Sequence, residues 1–146
     1  MSVIKGVYEH LNADVSVTST LASYDFGSGS QPAIFTVNPP PQDAPTPLVL
    51  IVQTSAALSG RDRTTRGGEI GLDVTIWGDR GESEASINDA AMVVWRSLDR
   101  ATISVSGYEV PMCLADPPVV SPDPDGFPGY RIAIRILIRE TPLSSS

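Results

Sequence analysis

Cysteine, histidine and lysine each occur once in this chain, as Cys113, His10 and Lys5. A lone cysteine forms no disulfide within the chain and closes no cysteine-based zinc cage. With a single histidine, a catalytic triad or a histidine-rich metal site would have to be built around His10 alone. Long apolar runs are missing too. The longest, residues 48–52, is far below the roughly 20 residues that cross a bilayer. The first fifteen residues hold no apolar stretch of signal-peptide length, because Glu9 and Asp14 interrupt it. The expectation is a soluble protein of a reducing compartment, with no membrane partner, no cofactor, no metal and no catalytic set.

Positive charge is scarce: ten Lys and Arg stand against seventeen Asp and Glu, giving a net charge of −7. Such a surface repels nucleic-acid phosphates, which disfavours a dedicated nucleic-acid binder. Nine of the ten basic residues are arginine. Arginine pairs bidentately with carboxylates, so this set suits protein–protein contact better than phosphate tracking. The length of 146 residues predicts a single domain over 1–146, able to bury about 68–70% of its unfolded surface. Glycine and proline, 12 and 13 residues, predict many turns, while 41% hydrophobic content excludes a wholly disordered chain.

Along the chain, Val3, Val7 and Leu11 recur at i, i+4, i+8, which predicts an amphipathic helix over 3–11, ended by residues 12–14. Residues 27–30 (GSGS) read as a flexible breaker and 33–37 as a short strand. Five prolines in residues 38–47 predict an extended surface connector. Residues 48–53 (LVLIVQ) form a continuous apolar run expected as a buried strand. Residues 54–68 lack a sustained period, carry Arg61, Arg63 and Arg66, and are expected as a long loop. Residues 69–77 alternate strictly, with Ile70, Leu72, Val74 and Ile76 on one face. A second helix is predicted over 83–98, with Ile87, Ala91, Val94 and Leu98 on its apolar face. Residues 101–105 and 108–114 are expected strands, with Pro111 implying an edge or a bulge. Another turn-rich loop spans 116–129, residues 130–139 (YRIAIRILIR) form an alternating strand, and 141–146 is an expected frayed tail. The order of elements predicts an α+β fold: a mainly antiparallel β-sheet with two α-helices packed on one face.

The chemistry-bearing residues read blandly. Asp123, Asp125 and Gly126, with Asp116 nearby, begin like a calcium loop, but position 132 is Ile where the pattern needs Glu, so a Pro-Asp-Gly turn accounts for them. No phosphate loop and no Gly-x-Ser-x-Gly elbow occurs. His10, off the apolar stripe, reads as a solvated surface histidine, and Cys113 as a small core residue. Arg131, Arg135 and Arg139 alternate with isoleucines on one face of a strand. They are either its wet face or partners for acidic groups of a neighbouring subunit. Arg61, Arg63 and Arg66 carry the same two readings.

The succession of these features resembles the tail terminator (tail completion) proteins of long-tailed bacteriophages. The likeness rests on the opening helix 3–11, the Pro47-introduced strand 48–52, a long loop and the alternating strand 71–77. It continues through the helix 83–98, the Gly107-centred stretch 106–110 and the closing strand 130–139. Leu48 stands where the family leads one to expect an aromatic. The resemblance implies a non-enzymatic homohexameric ring in the virion, at the head–tail junction, capping the tail tube and presenting a surface for head attachment. It implies as partners other copies of the chain, the major tail tube protein and a head-side connector, with DNA only passing through the lumen. Six copies at −7 each carry about −42, so an acidic bore would not retain DNA. Another head–tail connector or tube-like protein is the alternative, and a small metal-dependent hydrolase using His10 and the aspartates a remote one.

Overall fold

The computed structural model describes residues 3–27, 29–37, 40–59, 67–79, 83–121 and 127–140. The chain opens with α1 (Val3–Ala13), which buries Val3, Val7 and Leu11 as their spacing predicts. A four-residue helix, α2 (Val15–Thr18), follows at once. The carboxylate of Asp14 caps it by accepting the Ser16 N–H at 2.9 Å, so the predicted stop at 12–14 is a joint between two helices.

Two short strands, β1 (Ser23–Asp25) and β2 (Ser30–Pro32), pair antiparallel. Gly27 and Gly29 lie between them at φ +96° and +119°, where a side chain is strained. The supposed breaker at 27–30 thus lies where the chain passes from β1 to β2, with Ser30 already paired to Asp25. The strand expected over 33–37 shortens to β3 (Ile34–Phe35), which runs parallel to β4 (Leu48–Ser59). Then come β5 (Gly67–Trp77), α3 (Glu84–Leu98), β6 (Tyr108–Ala115), β7 (Val119–Val120) and β8 (Gly129–Glu140). The Ser83 hydroxyl caps α3 by accepting the Ser86 N–H, and Arg96 in its last turn complements the dipole.

The large sheet runs β3-β4-β5-β8-β6, with β7 also on β8. Only the β3–β4 pair is parallel; the others are antiparallel. The expected α+β class holds, with the short α2 added to the helix layer. Ile70, Leu72, Val74 and Ile76 of β5 and the four isoleucines of β8 pack against Val7 and Leu11 of α1 and Ile87, Val94 and Leu98 of α3. Each fully buried side chain of this kind contributes about 1.5–3 kcal/mol. On the opposite face, Ala33, Phe35, Leu48 and Leu50 form a second core beneath Tyr24, Val52 and Trp77. That explains the unbroken run 48–53: Val49 and Ile51 enter one core while Leu48 and Leu50 enter the other.

Two loop expectations and one strand expectation change. Most of 54–59 and 67–68 is strand, with Ser55 opposite Gly71 and Ser59 opposite Gly67. Residues 53–56 are exposed, so along that stretch backbone pairing holds the strand without burying its side chains and leaves no periodic mark in the sequence. The loop 116–129 is pinned at its base by β7, by the Asp116 N–H on the Ala133 carbonyl (2.9 Å) and by the Ser121 N–H on the Gly129 carbonyl (2.8 Å). The strand expected over 101–105 has no continuous ladder among the described residues. Its ends are tied to β6, by the Arg100 N–H on the Cys113 carbonyl and the Tyr108 N–H on the Val105 carbonyl. Between them β6 shifts register from Glu109 to Met112, and Pro111 has no N–H to offer.

Candidate functional site

Arg61, Arg63 and Arg66 lie outside the described residues. Arg131, Arg135 and Arg139 stand exposed on β8, alternating with buried Ile132, Ile134, Ile136 and Ile138. Two of the three already have partners within the chain. Arg131 Nη1 lies 3.8 Å from Asp73 Oδ2, and Arg139 Nε donates to Glu109 Oε2 at 3.0 Å. Both guanidiniums are more than half exposed, so each pair stabilises by at most about 1 kcal/mol. Arg135 has no ion pair among the described residues, and its cross-strand neighbours are Gly71 and Leu114.

One row away, Leu137 (37% exposed) sits opposite Met112 (44% exposed). Val119, at 58%, is opposite Arg131. This half of the outer sheet face thus mixes guanidinium, carboxylate and aliphatic groups, while the β1–β2 hairpin and its aromatics cover the other half. Tyr24, Phe26 and Phe35 pack there with ring centroids 4.9–5.4 Å apart. Arginine and methionine are enriched in protein interfaces and lysine depleted, which matches the composition of the open half.

His10 is not a solvated surface residue. Its Nε2 lies 2.8 Å from the Ser97 carbonyl and 3.3 Å from the Ser97 hydroxyl, so it joins α1 to α3. The Ser97 hydroxyl also holds the Asp14 carboxyl below its ordinary value, with smaller help from the Ser16 and Val17 N–H groups and against the pull of desolvation. Ser, His and Asp therefore meet, but not as a hydrolytic triad. A carbonyl only accepts, so Nε2 carries the proton and cannot take one from Ser97. Asp14 hydrogen-bonds the serine and feels His10 only as the smallest, through-space charge effect, so no carboxylate hydrogen bond orients the imidazole as a base. The arrangement is a polar tie across the helix layer.

Cys113 is buried, as expected; its thiol donates to the Leu98 carbonyl at 3.3 Å, and burial pushes it up to about 11. A thiol so placed is not a nucleophile at neutral pH. Asp123, Asp125 and Gly126 lie outside the described residues, and no group of three metal-ligating side chains occurs among the described ones. No described helix is long and apolar enough to cross a membrane. A cavity of about 670 Å³ opens beside α1, where Lys5 and Glu9 pair at 3.9 Å above Ser104 and Tyr108; it offers no activated nucleophile.

Sequence reasoning passed over the β1–β2 hairpin and the Met112–Leu137 pair. Tyr24 and Phe26 just before a Gly-x-Gly turn were a usable signal for the first. The second depends on which strands become neighbours. No model of a known protein family matches the chain, and no curated protein matches it. Among solved structures it is similar to a chain in the virion of a native gene transfer agent particle, 16% identical over 91% of each chain, with a TM-score of 0.65. At that identity the likeness is one of fold, and it runs through nearly the whole of both molecules.

Proposed function

We propose that this chain is a structural virion protein: a subunit of a ring that caps a tail tube, stops its growth and offers its other face to a head-side connector. The observation that carries the reading is the likeness of fold, over nine-tenths of both chains, to a component of a virion particle. The order of sequence elements that resembles tail terminators supports the narrower part. A ring is a closed heterologous assembly, so each subunit needs two different surfaces. The open outer sheet face, where Arg135 has no ion pair among the described residues and stands beside Leu114 and the Met112–Leu137 pair, is suited to one of them. Arg61, Arg63 and Arg66 are assigned to acidic groups on the tube, and Arg131, Arg135 and Arg139 to a neighbouring subunit. The summed negative charge keeps DNA from adhering in the bore.

The test is light scattering of the purified protein, alone and with isolated tail tubes. Once tubes are added, a particle near six copies that co-sediments with tube ends is expected. Replacing Arg61, Arg63 and Arg66 together by serine should leave folding intact and abolish tube binding. Binding to portal-side connectors but never to tubes would favour the head–tail connector reading, and a chain that ignores both would overturn the proposal.

A further inference from the structure

The two ends of the large sheet are not equivalent. At the β6 end the backbone is closed. Cys113 and Ala115 carbonyls accept from the Arg100 N–H and from Trp95 Nε1, at 2.8 and 2.9 Å, and the Ala115 N–H donates to the Asp99 carboxylate at 3.2 Å. Pro111 has no N–H, and α1 leans on the neighbouring segment, where Gly6 meets the Ser104 carbonyl. At the other end, β3 reaches β4 only at Val49 and Leu50. Beyond them, residues 51–59 have β5 on one side and no strand among the described residues on the other. Nine residues at about 3.4 Å each make an open edge of about 30 Å.

Of the usual guards that edge has only a bulge. From Leu48 to Ser59 (LVLIVQTSAALS) there is no charge and no proline. Its single irregularity is the register shift between Gln53 and Ser55. Gln53, Thr54, Ser55 and Ala56 are all exposed. Proteins keep free edges apart with lysine, proline or inward charges, and a strand without them is a template for another. Absence of charge also points to the occupant. When a strand pairs with its own copy about a two-fold axis, residues near the axis face themselves, so any charge there meets its own sign and opposes pairing. A segment of small, neutral and hydroxyl side chains meets no such penalty. Because the β6 end is closed, edge-to-edge pairing at the ends of the large sheet joins β4 to β4, and it stops at two.

We infer that the free protein forms a two-fold dimer through its β4 edges, continuing the antiparallel sheet from one copy into the next. This goes beyond the ring reading and concerns the protein before it reaches a tube. The contact is one strand wide, below the area of a standard stable interface, so it is transient and concentration-dependent. It shields the edge from indiscriminate pairing until assembly.

The experiment is light scattering of the full chain over a concentration series, with variants Q53C, T54C, S55C and A56C, each adding one exposed cysteine to the buried Cys113, under mild oxidation. A mass rising from 15.5 kDa towards about 31 kDa, twice the chain, is expected, with at least one variant trapped as a disulfide dimer. T102C, exposed at the opposite end of the sheet, should give none. A56K and Q53K place like charges across the axis and should keep the protein monomeric with an unchanged circular dichroism spectrum. A mass fixed at 15.5 kDa at every concentration, or dimers that survive both lysine variants, overturns the inference. Tube capping is read separately: capping by a protein that never dimerises sinks this inference alone, while dimers that never cap sink the ring reading alone.

Discussion

Gly6 lies inside α1, where helix propensity alone favours alanine by about 1 kcal/mol. Tertiary structure predicts the opposite sign. A Cβ added at Gly6 would stand 2.5 Å from the Ser104 carbonyl oxygen and 3.0 Å from Ile103 Cγ2. The carbonyl cannot swing aside, because its segment is tied to β6 at Arg100–Cys113 and at Val105–Tyr108. Overpacking of this kind costs about 1–3 kcal/mol, and rigid backbone places it in the upper part of that range. After the propensity gain, Gly6→Ala should destabilise by about 1–2 kcal/mol. For a domain of this size that lowers Tm by about 3–6 °C. Thermal and urea melts followed by circular dichroism would measure it, with an unchanged urea slope showing that the denatured state is unaffected. A variant as stable as the parent, or more so, would mean that α1 does not press on residues 103–104, and the closed end of the sheet would lose one of its covers.

The other predictions concern titrating groups. Cys113 is raised to about 11 by burial, so below the ordinary thiol range the folded state gains nothing from ionisation, and stability falls as pH rises through that range. It should resist a thiol reagent at pH 8 when native and react with one equivalent in urea; rapid native labelling would contradict its placement. Asp14 is depressed chiefly by Ser97, so its contribution is present above the ordinary carboxylate value and is lost as pH falls through the depressed one. Asp14→Asn keeps a cap but removes the titration, and the gap in Tm between pH 7 and pH 3 should narrow; an unchanged gap would exclude the tie between Asp14 and α3.

The elements with a repeating apolar pattern were legible without coordinates: α1, β5, α3 and β8 stand within two residues of their expected positions. Periodicity reports which side chains leave water, and these four elements bury one face against a single core. Residues 54–56 of β4, the β1–β2 hairpin and β7 escaped because their backbone pairing buries few side chains. The placing of His10 against Ser97, 87 residues apart, escaped because it depends on how two helices lie over one sheet. The same holds for the arginines. Their alternation along β8 was evident from sequence, but whether each meets Asp73, Glu109 or no acidic partner among the described residues depends on which strands lie alongside. Local patterning determines which residues turn inward along a segment; strand order and register, settled only when distant segments share a core, determine which sheet edge is left unpaired and which charges find a partner.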